Sequence, residues 1–403
     1  MCRILLYLLF TFSTLTFYGQ EVYFEEPAKF ITQFTFKQLI GGVILVKAKF
    51  NNITEPFNFI LDTGSGAISL DSSTTAEFKI PHEPSGRTIS GIAGIRKVDY
   101  AKNNSLTFPG LKVDSLDFYI NDYNILSSVY GEKIDGIIGY TFFHKFIVKI
   151  NFDSLYIQIF SPGRIQYPSK GTLLTPLFTA LPIQSLTIKD ARKVVSNFYF
   201  DTGAGLNFLI SKQFEKDSSF LLKRRRPVSI QAQGLGGKME MLLTIIKRIK
   251  IGSYKFKKVP TDILDDEYNA ISYPFISGLI GDDILRRFNM IINYPNREIY
   301  LSPNSHFNDK FDYSYTGINM YFADGAIFSD EVIKGSPAYK AGLKKDDIIM
   351  GINNNFSNNI TVYKNLMQNV GEKVTLLVMR DKTPFIISFR VGRIFKRFNW
   401  LRF

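Results

Sequence analysis

Two short segments of this chain hold the residues best suited to chemistry. Phe59-Ile60-Leu61-Asp62-Thr63-Gly64-Ser65-Gly66 returns as Tyr199-Phe200-Asp201-Thr202-Gly203-Ala204-Gly205, so a carboxylate followed by a hydroxyl and a glycine occurs twice, 139 positions apart. Two carboxylates held close together cannot both ionise. Sharing one proton, they can hold a water between them, one serving as general base on that water and the other as general acid toward a carbonyl. A single Asp-Thr-Gly would be an ordinary Asp-initiated turn. Here the flanking sequence repeats too, and in the same order. Gly91-Ile92-Ala93-Gly94 is answered by Gly234-Leu235-Gly236-Gly237, Gly110 by Gly252, and Asp135-Gly136-Ile137-Ile138-Gly139-Tyr140 by Ser277-Gly278-Leu279-Ile280-Gly281-Asp282. Phe146 to Phe152 is answered by Phe288 to Tyr294, and each is followed by a second apolar strand. Blocks in register at a nearly constant offset indicate two homologous lobes of about 140 residues.

The elements that must position these residues read as β-structure. Short alternating or wholly apolar runs, such as Gly42 to Phe50, Leu116 to Ile120 and Met241 to Ile246, are punctuated by Gly, Pro, Asn and Asp. Apolar strands Asn58 to Leu61 and Phe198 to Phe200 would bury the base of each Asp loop, and the following glycines permit the tight turn that brings the carboxylates together. Helical periodicity is scarce. The predicted helical turns are Thr141 to Lys145 and Asp283 to Arg287.

The doubled pattern resembles the aspartic peptidases of the pepsin and retropepsin type over roughly residues 30 to 303. The resemblance implies Asp62 and Asp201 as the catalytic pair. Thr63 and Thr202 would reach to the opposite loop and lock the dyad, and Gly64, Ser65 and Gly203 would shape the loops. Gly136, Gly139, Gly278 and Gly281 would allow close approach beneath each Asp. Segments Thr88 to Tyr100 and Ser229 to Met241 stand where the family has hairpins over the cleft. The expected flap tip is Ser90-Gly91-Ile92-Ala93-Gly94, with Gly234-Leu235-Gly236-Gly237 second; a plain surface hairpin and the number of working flaps stay open. Ser65 after the first loop and Ala204 after the second break the symmetry. A hydrogen bond from Ser65 would favour a charged Asp62 and a protonated Asp201. The usual flap tyrosine is missing from Gly91-Ile92-Ala93, and Tyr100 lies too far along.

A second resemblance begins near Tyr313. Val332 to Asn353, with Gly335-Ser336-Pro337-Ala338 and Asp347-Ile348, is similar to bacterial PDZ domains, although Lys345-Asp346-Asp347 replaces the usual Gly-Asp. This implies a carboxylate-binding loop and peptide-pairing strand at Thr316-Gly317-Ile318-Asn319-Met320, walled by a helix around Ile360 to Gln368 and accepting peptide C-termini. A PDZ fold that only packs on the peptidase is the alternative.

Bulk composition bounds the rest. The chain has 403 residues, 45% of them hydrophobic, enough for two or three packed domains. Residues 1–20 read as a signal peptide, with a membrane anchor as the competing view; Cys2 lies too early for lipoprotein processing. Removing that segment removes the only cysteine, which excludes a cysteine peptidase and favours a bacterial periplasm or cell surface. His82, His144 and His306 have no metal-ligand spacing, and no Gly-x-Ser-x-Gly elbow is present, so no metal or other cofactor is expected. The net charge of +13, densest at Lys223 to Arg226 and in the tail Arg393 to Arg402, allows contact with a membrane surface, or is simply a solvated face. No nucleic-acid module is recognisable.

The expectation is thus an all-β chain: a two-lobed pepsin-like acid protease fold followed by a PDZ-like β-barrel with short helices. Its parts are a signal peptide (1–20), an N-terminal lobe (21–165), a C-terminal lobe (166–305), and a PDZ domain with a basic aromatic tail (306–403). It would be a monomer, made active, that hydrolyses peptide bonds in extended protein segments. The rival readings are a non-catalytic peptide-binding protein on the same fold and a structural surface protein.

Overall fold

The computed structural model describes residues 26–92, 94–234, 237–272 and 275–394. The expected signal peptide, Ala93, Leu235, Gly236 and the tail from residue 395 onward lie outside the described residues.

The all-β expectation holds, and the repeat seen in sequence is a repeat of strand order. Each lobe forms an eight-stranded sheet. In the first, strand Pro56–Leu61 pairs in parallel with Gly136–Ile138, which then pairs antiparallel with Ile68–Asp71. In the second, Lys193–Phe200, Ile276–Ile280 and Phe208–Ser211 are joined in the same way. All four residues of Ile68–Asp71 and all five of Ile276–Ile280 are buried, with the polar Ser69, Asp71 and Ser277 among them, so these strands are covered on both faces.

A six-stranded sheet joins the lobes. At its centre Ile147–Asn151 from the first lobe pairs antiparallel with its own repeat, Phe288–Asn293, through Ile147↔Asn293 and Ile150↔Met290. Phe30–Thr35 and Thr172–Leu174 close the two edges. Along Tyr156–Phe160 only Ile157 and Ile159 face the core, the alternation expected of a strand with one covered face. A single hydrophobic core runs through both lobes from Phe34 to Phe311, and each fully buried Phe or Ile in it stabilises the fold by about 1.5–3 kcal/mol.

The C-terminal unit has its own core and a five-stranded antiparallel sheet. Ser336 caps helix Pro337–Lys340 by accepting from the Tyr339 amide at 3.2 Å, with Pro337 in the first turn. Asp347, almost fully buried, binds Arg380 through both oxygens at 2.6 Å and accepts from the Lys344 amide at 2.8 Å. Asp346, where the PDZ resemblance implies a glycine, adopts φ +65°. That left-handed backbone is why glycine is usual there.

The two units meet at one helix that the sequence reading did not predict, Asn124–Tyr130. It lies against strand Ile318–Ala323 and helix Ile360–Asn365 of the C-terminal unit. Gly131 ends this helix at φ +65°, and a Cβ there would meet Ile360 Cγ2 at 2.7 Å. The docking therefore needs glycine for both its backbone and its clearance.

Candidate active site

Each Asp sits just past the end of a buried strand, where a backbone bond holds it. Asp62 N–H donates to Ile138 O at 2.9 Å and Asp201 N–H to Ile280 O at 3.1 Å. The loops then cross toward each other. A Cβ on Gly64 would lie 2.4 Å from Asp201 Cγ, and one on Gly203 would lie 2.2 Å from Asp62 Cγ. Each carboxylate thus rests on the glycine of the opposite loop, and any side chain at either position would push it away. Gly136, Gly139, Gly278 and Gly281 face backbone carbonyls of the neighbouring chain at similarly short range.

The threonines form a reciprocal clasp. Thr63 Oγ1 donates to Phe200 O at 2.6 Å and accepts from Thr202 N–H at 3.1 Å, while Thr202 Oγ1 donates to Leu61 O at 3.0 Å and accepts from Thr63 N–H at 3.0 Å. Both side chains are completely buried, so each hydroxyl satisfies one donor and one acceptor that water cannot reach.

The electrostatics differ from the sequence expectation. Ser65 Oγ donates to Ala67 O at 3.0 Å, not to Asp62. Asp62 Oδ1 accepts from the Gly64 amide at 2.6 Å, whereas Asp201 Oδ1 accepts from two amides, Gly203 at 2.8 Å and Ala204 at 3.1 Å. Burial lifts both carboxyls above the ordinary carboxylate range. The lift is greater for Asp62, where the charge of Asp201 and the hydrogen bond between the two add to burial. At Asp201 burial is opposed by the two amides and by the hydrogen bond from Asp62. The shared proton therefore favours Asp62 and the charge favours Asp201, the reverse of the assignment drawn from Ser65 and Ala204.

The dyad lies in a cleft of about 660 Å³ between the lobes. Hairpin Glu83–Gly91 and Gly94–Phe108 brings Ser90, Gly91 and Ile92 to its lining, with Gly91 opposite Gly94 at the turn. Ile92 packs on an apolar cluster of the other lobe that includes Leu209, Met241 and Leu279. The second hairpin, Val228–Gly234 with Gly237–Ile251, contributes Ile230 and Met241 from its arms. At its tip, Gly237 does not line the cleft. Val228–Gly234 instead lies against helix Asn124–Tyr130 of the first lobe, so each hairpin reaches across to the opposite lobe.

Several cleft residues escaped the sequence reading. Tyr123, Leu126, Val129 and Tyr130 reach the cleft from the unpredicted helix and its N-terminal flank. Tyr123 is bonded to Ser69 Oγ at 2.6 Å, and burial pushes its phenol up to about 12. Asp262, buried enough to hold its carboxyl up at about 7, lines the second lobe's side. Lys364 enters the lining from the C-terminal unit. The helix did leave a signal: Asp122 accepts from the Asn124 amide at 2.9 Å at one end, Gly131 closes the other, and Leu126, Val129 and Tyr130 carry helical spacing between them.

Of the expected peptide-binding segment, Thr316 and Gly317 form a turn and Ile318, Asn319 and Met320 begin an edge strand. The turn is fixed to the 333–338 segment, with Ile333 N–H donating to Gly317 O at 2.9 Å and Ala338 N–H to Thr316 O at 3.1 Å. Gly317 has φ +75°, and a Cβ there would strike Ser336. None of these five residues lines the catalytic cleft. Among the described residues no helix is long and apolar enough to cross a membrane.

Comparison with known proteins agrees with this architecture. A family model described as aspartyl protease matches residues 46–142 and again 185–284, one copy per lobe, and a PDZ domain model matches residues 328–380. The periplasmic pH-dependent serine endoprotease DegQ of Escherichia coli (strain K12) is 36% identical over 61 residues. That stretch is 15% of this chain and 13% of DegQ, so the chain spans only a small part of that relative's length. With both Asp-Thr-Gly loops inside the matched segments, the chain carries an aspartyl protease domain, built from two repeated halves, followed by a C-terminal PDZ domain.

Proposed function

We propose that this protein is an aspartic-type endopeptidase that hydrolyses extended protein segments with a water activated between Asp62 and Asp201. The observation that carries the reading is the clasped pair of half-buried carboxyls, facing each other in a cleft large enough for several peptide side chains. Asp201, the better site for charge, takes a proton from the water as it attacks the peptide carbonyl carbon. Asp62 gives its proton to the carbonyl oxygen; the tetrahedral diol then collapses as Asp201 passes the water's proton to the leaving amine nitrogen and Asp62 takes back a proton from a diol hydroxyl, which releases the carboxylic acid and restores the pair. No covalent intermediate forms. Ile92 at the flap excludes water once substrate is bound, and the apolar lining favours apolar residues beside the cut.

In this reading Thr63, Thr202 and the paired glycines hold the dyad without touching substrate. The PDZ domain accepts peptide C-termini at Thr316 to Met320 when helix Asn124–Tyr130, which here lies against the same strand and helix, moves aside, and its partners are proteins of the cell envelope, consistent with the periplasmic description of DegQ.

The test compares the full chain with Asp62→Asn and Asp201→Asn on a fluorogenic peptide library from pH 3 to 8, with and without a statine-type inhibitor. Inhibitor-sensitive cleavage lost in both variants is expected. Cleavage that survives in either variant, or no cleavage at any pH, would overturn the reading; binding of peptides without turnover would favour a peptide-binding protein on the same fold.

A further inference from the structure

The cleft wall is completed by a residue from a different domain. Lys364, on PDZ helix Ile360–Asn365, extends past helix Asn124–Tyr130, where its Nζ donates to Val129 O at 3.1 Å and lines the cleft beside Leu126, Val129 and Tyr130. Among the described residues no carboxylate pairs with it. One of its three donors is used by a neutral carbonyl, which leaves two for a ligand entering the cleft that Lys364 lines.

An ammonium in such a place is costly. Removing a cation from water without a counter-charge is unfavourable, and one carbonyl bond recovers little of the loss. Burial accordingly lowers its pKa to about 8, with no acidic group opposing the shift. The surroundings are apolar and the site opens on the dyad cleft, so the missing counter-ion would arrive with the ligand. Binding a carboxylate there replaces an unpaired buried charge by a short charge-assisted bond in a desolvated site, where such a bond is strongest.

We propose that Lys364 makes this wall of the cleft a carboxylate-binding site, so that the enzyme selects peptides presenting an anionic group next to the scissile segment. The carboxylate could belong to a Glu or Asp side chain or to a free C-terminus. In the first case the PDZ domain sets specificity for acidic sequences; in the second it makes the enzyme trim chain ends. The inference rests on the endopeptidase reading for its meaning, yet it is a claim about binding and can be tested without turnover.

The experiment uses the full-length chain carrying Asp62→Asn, so that peptides are bound but not consumed, and measures fluorescence anisotropy with a positional set of labelled peptides. Each position is scanned with Glu against Gln, and each peptide is made with a free and an amidated C-terminus. Displacement by a statine-type inhibitor identifies probes held in the cleft and separates them from probes held at the PDZ turn. A preference of about 10- to 100-fold for the anionic partner is expected at one position, the span of a charge-assisted hydrogen bond. The ratio should fall below about twofold in Lys364→Met and return in Lys364→Arg.

Glu-over-Gln selectivity assigns the site to a side chain, and free-over-amidated selectivity assigns it to a chain end. No selectivity among displaceable probes, or selectivity that persists in Lys364→Met, overturns the proposal. Wild-type cleavage of the same peptides is scored separately, so charge-selective binding without cleavage would sink the hydrolytic reading and leave the carboxylate site standing.

Discussion

The two lobes are built on one plan and diverge in the residues set around it. Strand order, the parallel pairing behind each Asp, and the threonine clasp are the same in both. The residues around these invariants are not. Tyr119, which pairs with Ser69 in the first lobe, is matched in the second by Asp262, which pairs with Leu209, and both line the cleft. Tyr140 after the second glycine is matched by Asp282, a fully buried carboxyl whose oxygens have no hydrogen-bond partner among the described residues. A dyad sharing one proton needs two nearly equivalent supports, whereas a peptide has direction and presents different groups to each lobe. The duplicated scaffold keeps the first and releases the second.

The comparison breaks most severely at the dyad. Asp62→Asn and Asp201→Asn should each lower kcat by at least about 1,000-fold, because neither carboxyl alone supplies both acid and base. Because burial raises both carboxyls, the bell-shaped pH profile should centre above the ordinary carboxylate range. Activity fails on the acid side when Asp201 takes up a proton and on the alkaline side when Asp62 loses its own. A maximum well below pH 4 would contradict this assignment.

Thr63→Val and Thr202→Val come next. Each leaves one buried carbonyl and one buried amide unpaired, at a cost of about 2–4 kcal/mol in denaturant unfolding, and the Ser variants should recover most of it. The two costs should agree to within about 1 kcal/mol; a large inequality would show that the lobes do not share the clasp equally.

Asp262 sharpens the difference between lobes. Its folded-state carboxyl titrates near about 7, above that of an unfolded Asp, so the folded chain holds an extra proton between those limits. Its contribution to stability is complete below about pH 4 and is lost as pH rises through about 7, on the order of 2–4 kcal/mol. Asp262→Asn should flatten stability across that range, measured as Tm against pH, whereas Tyr119→Phe should leave the slope intact.

The smallest effect concerns the flap. Ile92→Ala removes an apolar contact with the opposite lobe worth about 1 kcal/mol, so kcat/KM should fall roughly fivefold with little change in Tm. An equal loss from Met241→Ala would indicate that the second hairpin's arm contributes as much to closure.

Much of this was legible because the duplication wrote it twice. The Asp-Thr-Gly loops, the glycines that tolerate no Cβ and the paired strands all recur in order, and chance does not preserve five blocks in register. Ser65 was misread because sequence does not say which acceptor its hydroxyl faces, and only the loop geometry shows that it bonds to Ala67 O. Helix Asn124–Tyr130 escaped because two turns carry too little periodicity to stand out from strand patterns, despite Asp122 and Gly131 at its ends. Lys364 could not be found at all. Its neighbour Val129 is 235 positions away, and nothing local to a lysine on an amphipathic helix marks it as facing another domain's cleft.

The central sheet also bears on how the molecule is made. Strand Ile147–Asn151 is paired on one side by Tyr156–Phe160 of its own lobe, but its other edge is filled by Phe288–Asn293, and Thr172–Leu174 waits for Glu298–Pro303. Such distant pairings make folding slow, and an emerging first lobe would have an unpaired strand edge and half a core. Peptidase activity would therefore switch on only after the second copy has been synthesised and docked. On the proposed function, docking of the second lobe would be the activating event, and the nascent polypeptide would be spared from its own active site.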